Sequence, residues 1–459
     1  MLIVRKCNTI AKAKMAKAQR RPSTLGIIHE GDCMDSFIKS ADQWLEDKKR
    51  FDGAEGLWRV HDGLYDLTHF VETHPGGRFW IETTQGLDIT ESWESHHISS
   101  KAEQLLPKYF VRKARTPRNS PFTFHEDGFY KTLKGRVRSL LPHLPKDPIK
   151  TSNWIFDILF VVSVLLSTLA TLYSSHTIGI SAGICMAFTL VAGHNYYHKA
   201  DNFRLYPNYV FMLNSRDFRI VHVLSHHAFP NSVSDLQAHM LEPLVLLYPG
   251  KKSFVTKYLS YIYVPLMVWP MFFLGPHVIK LYQWIFSGKS QHIRDDLLAW
   301  ILPLFLYVAT KQPPLNVLTM WVFIMLVNGF WFGLVGFTLN HYHPDIFMDG
   351  DVSRYDESDW GVSQVDTAGE KIGMVNTHFL GLIFLGDHVL HHLFPVMDHG
   401  VIQYLYPVFR ETMREFKLDL QVFGKGEFVG GYFRRLSTED TSSRPVGRSR
   451  YHTKVFDKG

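Results

Sequence analysis

Cysteine is scarce. Three cysteines in 459 residues, Cys7, Cys33 and Cys185, form no CxxC pair. Cys185 also lies inside an apolar run, so the chain has the makings of neither a disulfide framework nor a thiolate metal site. With no framework to oxidise, the working parts are expected to face a reducing compartment, the cytosol. The N terminus lacks the apolar core of a secretory signal. It also lacks acid: Met1 to Arg21 carries Arg5, Lys6, Lys12, Lys14, Lys17, Arg20 and Arg21 and no Asp or Glu. This arm reads as a solvated, disordered tail, basic enough to touch anionic lipid head groups. There is no internal repeat, no long low-complexity tract and no nucleic-acid signature.

Polarity is unevenly spread. Residues 1–150 are polar and mixed, whereas residues 151–400 hold long apolar runs. A chain of this length suggests two or three domains. The expected parts are a basic arm over 1–40, a small soluble domain over 41–113, a linker over 114–150, a membrane domain over 151–436 and a polar tail over 437–459. In the soluble domain, Leu57 to Val60 and Leu64 to Leu67 read as short strands about Asp62-Gly63, a hairpin turn signal. Pro117, Pro121, Pro142, Pro145 and Pro148 give residues 114–150 the look of a linker.

Phe156 to Tyr173 and Ile178 to Gly193 are apolar runs separated by four residues. Each is near the lower limit of about 17 residues that can span a bilayer, and together they predict a transmembrane hairpin. Leu297 to Thr310 and Val317 to Leu339 predict a second. Tyr258 to Pro276 is also apolar, but a crossing there would put the polar clusters that follow the first hairpin on the opposite side from those after residue 340. Pro265 and Pro270 agree with an interrupted, interfacial or re-entrant segment.

Histidine is the anomaly, at 25 residues. His74-Pro75-Gly76-Gly77 follows Tyr65-Asp66-Leu67-Thr68, and Trp93 precedes His96-His97. These motifs resemble the cytochrome b5 family over residues 41–113. The resemblance implies a haem b held by two axial imidazoles, a ligation suited to electron transfer because it leaves the iron no open position. It makes His74 the first ligand and His96 or His97 the second, with the spacing from Trp93 favouring His97. His69 reads as a surface residue.

Three further clusters recur: His194 and His198 (HxxxH), His222, His226 and His227 (HxxxHH), and His388, His391 and His392 (HxxHH). On a helix, residues three or four apart share a face, so each cluster presents its imidazoles in one direction. One histidine pair on a helix is usually structural. Eight imidazoles in three clusters near predicted spans are too many for one ion and suit a two-metal centre, and imidazole suits iron. The clusters, with His226-His227-Ala228-Phe229-Pro230-Asn231 and His391-His392-Leu393-Phe394-Pro395, resemble the membrane fatty acid desaturase and hydroxylase superfamily over residues 150–410. Asn340-His341 resembles a further asparagine-histidine of that family, which makes His341 a ninth ligand, with His343 the competitor. Asn195 stands where the fused relatives usually carry aspartate, the second box has one residue more than usual, and His388 stands where they usually have glutamine.

Together the resemblances imply an α+β cytochrome b5-like haem domain followed by an all-α transmembrane domain with two helical hairpins. They imply an oxygen-dependent acyl-lipid desaturase of the endoplasmic reticulum with haem b, two non-haem iron ions and molecular oxygen as co-substrate. Its electrons would come from an NADH- or NADPH-dependent cytochrome b5 reductase. A lipid hydroxylase with the same centre, or a membrane-anchored electron carrier with a non-catalytic desaturase-like part, are the other readings.

Overall fold

The computed structural model describes residues 23–446 except 29–30, 37, 288–292, 339, 355–357 and 425. The basic stretch Met1–Arg21 and the last thirteen residues of the polar tail lie outside the described residues. The chain folds as a small α+β domain followed by a mostly helical one.

The first domain opens with α1 (Ala41–Phe51), capped by Ser40, whose hydroxyl accepts from the Gln43 N–H. Strands β1 (Trp58–Val60), β2 (Gly63–Tyr65) and β3 (Phe110–Lys113) form an antiparallel sheet in that order. The turn between β1 and β2 is His61-Asp62, one residue before the expected Asp62-Gly63. His61 takes the positive φ of 52°, while Gly63 already pairs with Val60 and Lys113. Helices α2 (Arg78–Thr83) and α3 (Thr90–His96) follow HPGG, and α3 ends at His96 with His97 as its cap.

Residues 114–150 are more than a linker. They carry α4 (Phe129–Leu140), whose Phe129, Tyr130, Leu133 and Val137 are fully buried. Burying each is worth roughly 1.5–3 kcal/mol, which outweighs the local proline signal. Asp359 reaches the start of α4 and accepts from the Tyr130 N–H at 3.3 Å. The Tyr130 hydroxyl lies 3.0 Å from the Glu94 carbonyl and 3.3 Å from the Leu393 carbonyl, so it bridges the two domains. Burial alone would raise the Glu94 carboxyl, but hydrogen bonds from His61 and Lys134 outweigh it and hold the group down to about 2. Because that value lies below the unfolded one, Glu94 stabilises the fold above about pH 4.5, and this contribution fades as pH falls toward 2. Glu94→Gln leaves Lys134 buried without its nearest counter-charge, so a loss of about 3–5 kcal/mol is expected at neutral pH. Thermal unfolding should show that loss shrinking as the buffer is taken below pH 4; a constant gap at all pH values would refute it.

The arm and tail are partly packed too. Leu25 and Ile27 are buried, and Thr24 N–H donates to Asp349 at 2.8 Å. Ser442 N–H donates to Asp351 at 2.6 Å. Apolar side chains in the arm and backbone donors in the tail dock both segments on the second domain.

Among the described residues, three helices are long and apolar enough to cross a membrane: α5 (Asp147–Leu172), α6 (His176–Tyr197) and the last span, α9, running with its π-helical extension over Pro314–Phe337. The fourth expected arm is a regular helix only over α8 (Ile301–Thr310), which follows a 3-10 turn and a short helix. Between the hairpins, residues 255–268 wind as π and α turns with Pro265 inside them. The chain then turns at Trp269 to Phe273 before α7 (Leu274–Ser287), the interruption the prolines predicted.

α6 is the most buried span. Ser163, Ser167 and Thr171 of α5 are buried and return their hydroxyls to their own helix, and Ser163 also meets Thr189 at 3.2 Å. A Cβ at Gly183 would lie 2.8 Å from the Ile324 carbonyl, so glycine there sets how closely α6 and α9 approach. Small residues serve this purpose where lipid gives helices little reason to associate. Gln312, in the turn before α9, donates to the Leu172 carbonyl at 3.2 Å. Both hairpin turns are therefore at one end of the bundle, and His194, His198 and His341 emerge at the other.

Candidate haem slot and metal centre

His74 and His97 face one another with ring centroids 6.2 Å apart. His74 Nδ1 donates to the Gly77 carbonyl at 3.0 Å, and His97 Nδ1 donates to the Trp93 carbonyl at 2.9 Å. Both tautomers are thereby set with the Nε2 lone pair free. Two imidazoles bound through Nε2 to one iron, at about 2.0–2.1 Å each, place their centroids about 6 Å apart, so the pair fits a bis-histidine haem. Gly76 is required by proximity: a Cβ there would lie 2.7 Å from His74 Cε1. His69 is exposed. His96 points away from His74; its ring stacks on His198 with centroids 5.6 Å apart.

The three boxes and His341 converge in the second domain. His194 and His198 come from the end of α6. His388, His391 and His392 lie on α11 (His388–Leu393), which follows α10 (Trp360–Asp366). The second box is wound as a π-helix over Arg219–His226, closed by His227 N–H donating to the His222 carbonyl at 2.9 Å. His341 stands in the loop after the last span, beside Asn340 at φ 92°.

The imidazoles divide into two groups whose ligating atoms lie within 4.8 Å of one another: His194, His198, His222, His227 and His391, and His226, His341 and His392. His388 joins the second through a 2.7 Å Nε2–Nε2 approach to His341. All nine are buried. His343 lies elsewhere: it packs on Phe423 and meets Arg434 at 3.0 Å.

The proton positions make the case for a metal. His222 Nδ1 donates to Gln237 (2.7 Å), His226 Nδ1 to Asp235 (2.9 Å), His341 Nδ1 to the Thr367 carbonyl (2.8 Å) and His392 Nδ1 to Gln364 (2.9 Å). A neutral imidazole has one N–H, so these four rings have only lone pairs on Nε2. Yet His226–His341 and His341–His392 are both 3.1 Å apart between Nε2 atoms. Lone pairs do not converge at such distances without a cation between them. Metal–imidazole bonds of about 2.1 Å at right angles put donor atoms about 3.0 Å apart, as here. Burial pushes the His222 imidazole down to about 3 and His392 well below the ordinary value, which keeps both in the neutral, ligating form.

Asp235, Gln237, Gln364 and Thr367 were missed in the sequence because nothing in their spacing marks them; only folding brings them behind the rings. His399 was missed as well. Its ring lies 4.9 Å from that of His391, its Nδ1 donates to Asn195 at 3.2 Å, and its Nε2 has no partner. Asn195, the departure from aspartate, thus orients another buried imidazole beside the first group.

A cytochrome b5-like domain docked on a helical, histidine-lined membrane domain defines the haem-fused fatty acid desaturases. The model of the family described as "Fatty acid desaturase" matches residues 171–423, and that of the "Cytochrome b5-like Heme/Steroid binding domain" matches residues 44–115. The chain belongs to the fatty acid desaturase family, in its cytochrome b5-fused form. It is 38% identical over 419 residues to "Cytochrome b5-related protein" of Drosophila melanogaster, covering 90% of this chain and 95% of that one. It is 25% identical to "Delta(5) fatty acid desaturase A" of Dictyostelium discoideum (80% and 86% covered) and 24% identical to "Acyl-lipid (8-3)-desaturase" of Mortierella alpina (78% and 88%). No solved structure matches.

Proposed function

We propose that this chain is an oxygen-dependent acyl-lipid desaturase, fed electrons through its own haem domain by an NADH- or NADPH-dependent cytochrome b5 reductase. The observation that carries this reading is the convergence of nine buried imidazoles, from four separate segments, into two adjoining groups. A carrier that had lost catalysis would have no need to keep the set intact. In this reading His194, His198, His222, His227 and His391 hold one iron, His226, His341, His388 and His392 the other, and His74 and His97 hold haem b. When bound, the di-iron centre supplies oxygen-dependent hydrogen removal and the haem supplies electrons singly.

The chain's own residues prepare that chemistry. Asp235, Gln237, Gln364 and the Thr367 carbonyl fix the tautomers and keep four rings aimed inward, the ordinary task of groups behind metal ligands. Apolar spans beside the boxes exclude water and present a face for an acyl tail. The overall balance is closed: two hydrogens leave the acyl chain, and with two electrons from the haem and two protons they reduce one oxygen molecule to two waters. The Drosophila relative's name mentions only cytochrome b5, whereas the Dictyostelium and Mortierella names specify acyl desaturation, and the histidine set favours the latter. The haem domain and boxes are assigned to the cytosolic face of the endoplasmic reticulum, where such a reductase would meet them.

The test is to purify the protein in detergent, count haem and iron, and follow product mass with acyl lipids, oxygen and a reductase. One haem, about two irons and a product lighter by two hydrogens are expected. A product heavier by one oxygen would make it a hydroxylase. Haem without further iron would leave an electron carrier.

A further inference from the structure

Among the described residues, the haem slot and the histidine cluster meet at the pair His96 and His198. α3 ends at His96, and His97 caps it. While His97 faces His74 across the haem slot, His96 turns the other way and its Nε2 lies 3.5 Å from His198 Nδ1. The rings overlap at an interplanar angle of 30°. His96 Nδ1 donates to the Ser92 carbonyl at 2.9 Å, so its Nε2 is an acceptor. His198 must then carry its proton on Nδ1 and donate it to His96, which leaves its own Nε2 as a lone pair among the first group of imidazoles. That atom has no other partner. Among the described residues, His198 is held by a group from the haem domain, whereas His222, His226, His341 and His392 are held from within their own domain.

The surroundings keep this contact in place. Trp80 lies 6.2 Å from His96, and the Arg219 guanidinium lies 4.9 Å from the Trp80 ring. Arg219 also donates to the Tyr197 and Lys199 carbonyls, on either side of His198, at 3.0 and 2.9 Å. Further off, Trp44 donates its indole N–H to the Ser234 carbonyl at 3.0 Å. α3 is thus pinned to the end of α6 from both partners.

We propose that His96 is the positioning residue of the junction: it fixes the metal-binding tautomer of His198 and makes the His96–His198 contact the crossing point between the haem and the histidine cluster. The proposal rests on the desaturase reading above. The step it serves is a one-electron transfer. A haem held by His74 and His97 would supply the electron and iron held by the histidine cluster would take it up, with no bond made or broken and His96 keeping its proton on Nδ1.

The test uses the full-length protein with His96→Phe and His96→Gln. Three quantities are read: the haem absorption spectrum, iron retention in a chelator titration, and the decay of ferrous haem after flash photoreduction without oxygen. His96→Phe is expected to keep the full haem spectrum, since His74 and His97 are untouched. It should hold iron roughly 10–100-fold more weakly, as loss of a partner behind a metal ligand does, and lose the ferrous-haem decay accordingly. His96→Gln, whose amide oxygen can accept from His198 Nδ1, should restore most of both. A phenylalanine variant with wild-type iron affinity and wild-type decay would overturn the proposal. So would loss of haem in both variants, which would make His96 an axial ligand. Wild-type protein with haem, no further iron and no decay would instead overturn the desaturase reading beneath it.

Discussion

His341→Ala is expected to reduce non-haem iron from about two per chain to about one or fewer and to lower turnover by more than roughly 100-fold, leaving haem at one per chain. His341 is the hub of its group, because its Nε2 approaches those of His226, His388 and His392 at 3.1, 2.7 and 3.1 Å. Groups behind a ligand already cost 10–100-fold in metal affinity or activity, so the ligand itself should exceed that range. His343→Ala is the matched control, two residues away and equally buried. It leaves the cluster untouched and removes the contacts to Phe423 and Arg434 and the hydrogen bond from the Asp345 N–H, a loss of about 1–3 kcal/mol in stability. Elemental analysis and product formation on the pair decide the matter: equal iron and equal turnover in both variants would remove His341 from the centre.

His74→Ala is the second large effect, with the opposite signature. The imidazole that faces His97 is lost, so the reduced-minus-oxidised haem spectrum should vanish while the iron bound by the nine other histidines stays. Turnover driven by the reductase should fall to background. A small-molecule reductant that reaches the iron directly should still support a single turnover, because the second domain needs haem only as a source of electrons. Full haem binding in His74→Ala would mean that the 6.2 Å pair is not the axial pair.

The legible parts of this protein are those whose chemistry demands fixed residue types. HPGG, the paired histidines after Trp93 and the three boxes could be read because so few residue types can take those places, and the order of domains followed from them. Three things were not legible. Which of His96 and His97 faces the haem depends on how α3 docks, and the choice between His341 and His343 depends on a loop. The oxygen acceptors behind the rings come from 9 to 28 residues away from the histidines they hold. The segment 114–150 misled for a different reason. Its prolines are conspicuous, whereas the apolar face of α4 is spread over Phe129, Tyr130, Leu133 and Val137 and becomes meaningful only against Trp360 and Phe416.

The wide turn of the second box has a bearing on how such sequences are compared. One residue added to a regular helix rotates everything after it by about 100°, which should turn His226 and His227 away from the centre and ruin it. The i to i+5 closure between His222 and His227 absorbs the added residue locally, as π-bulges do at functional sites, and all three rings still look inward. Spacing in a histidine box is thus an elastic quantity. An insertion there can be silent in space while conspicuous in an alignment, and the loss of a turn's width, with no histidine changed, would be enough to inactivate the enzyme.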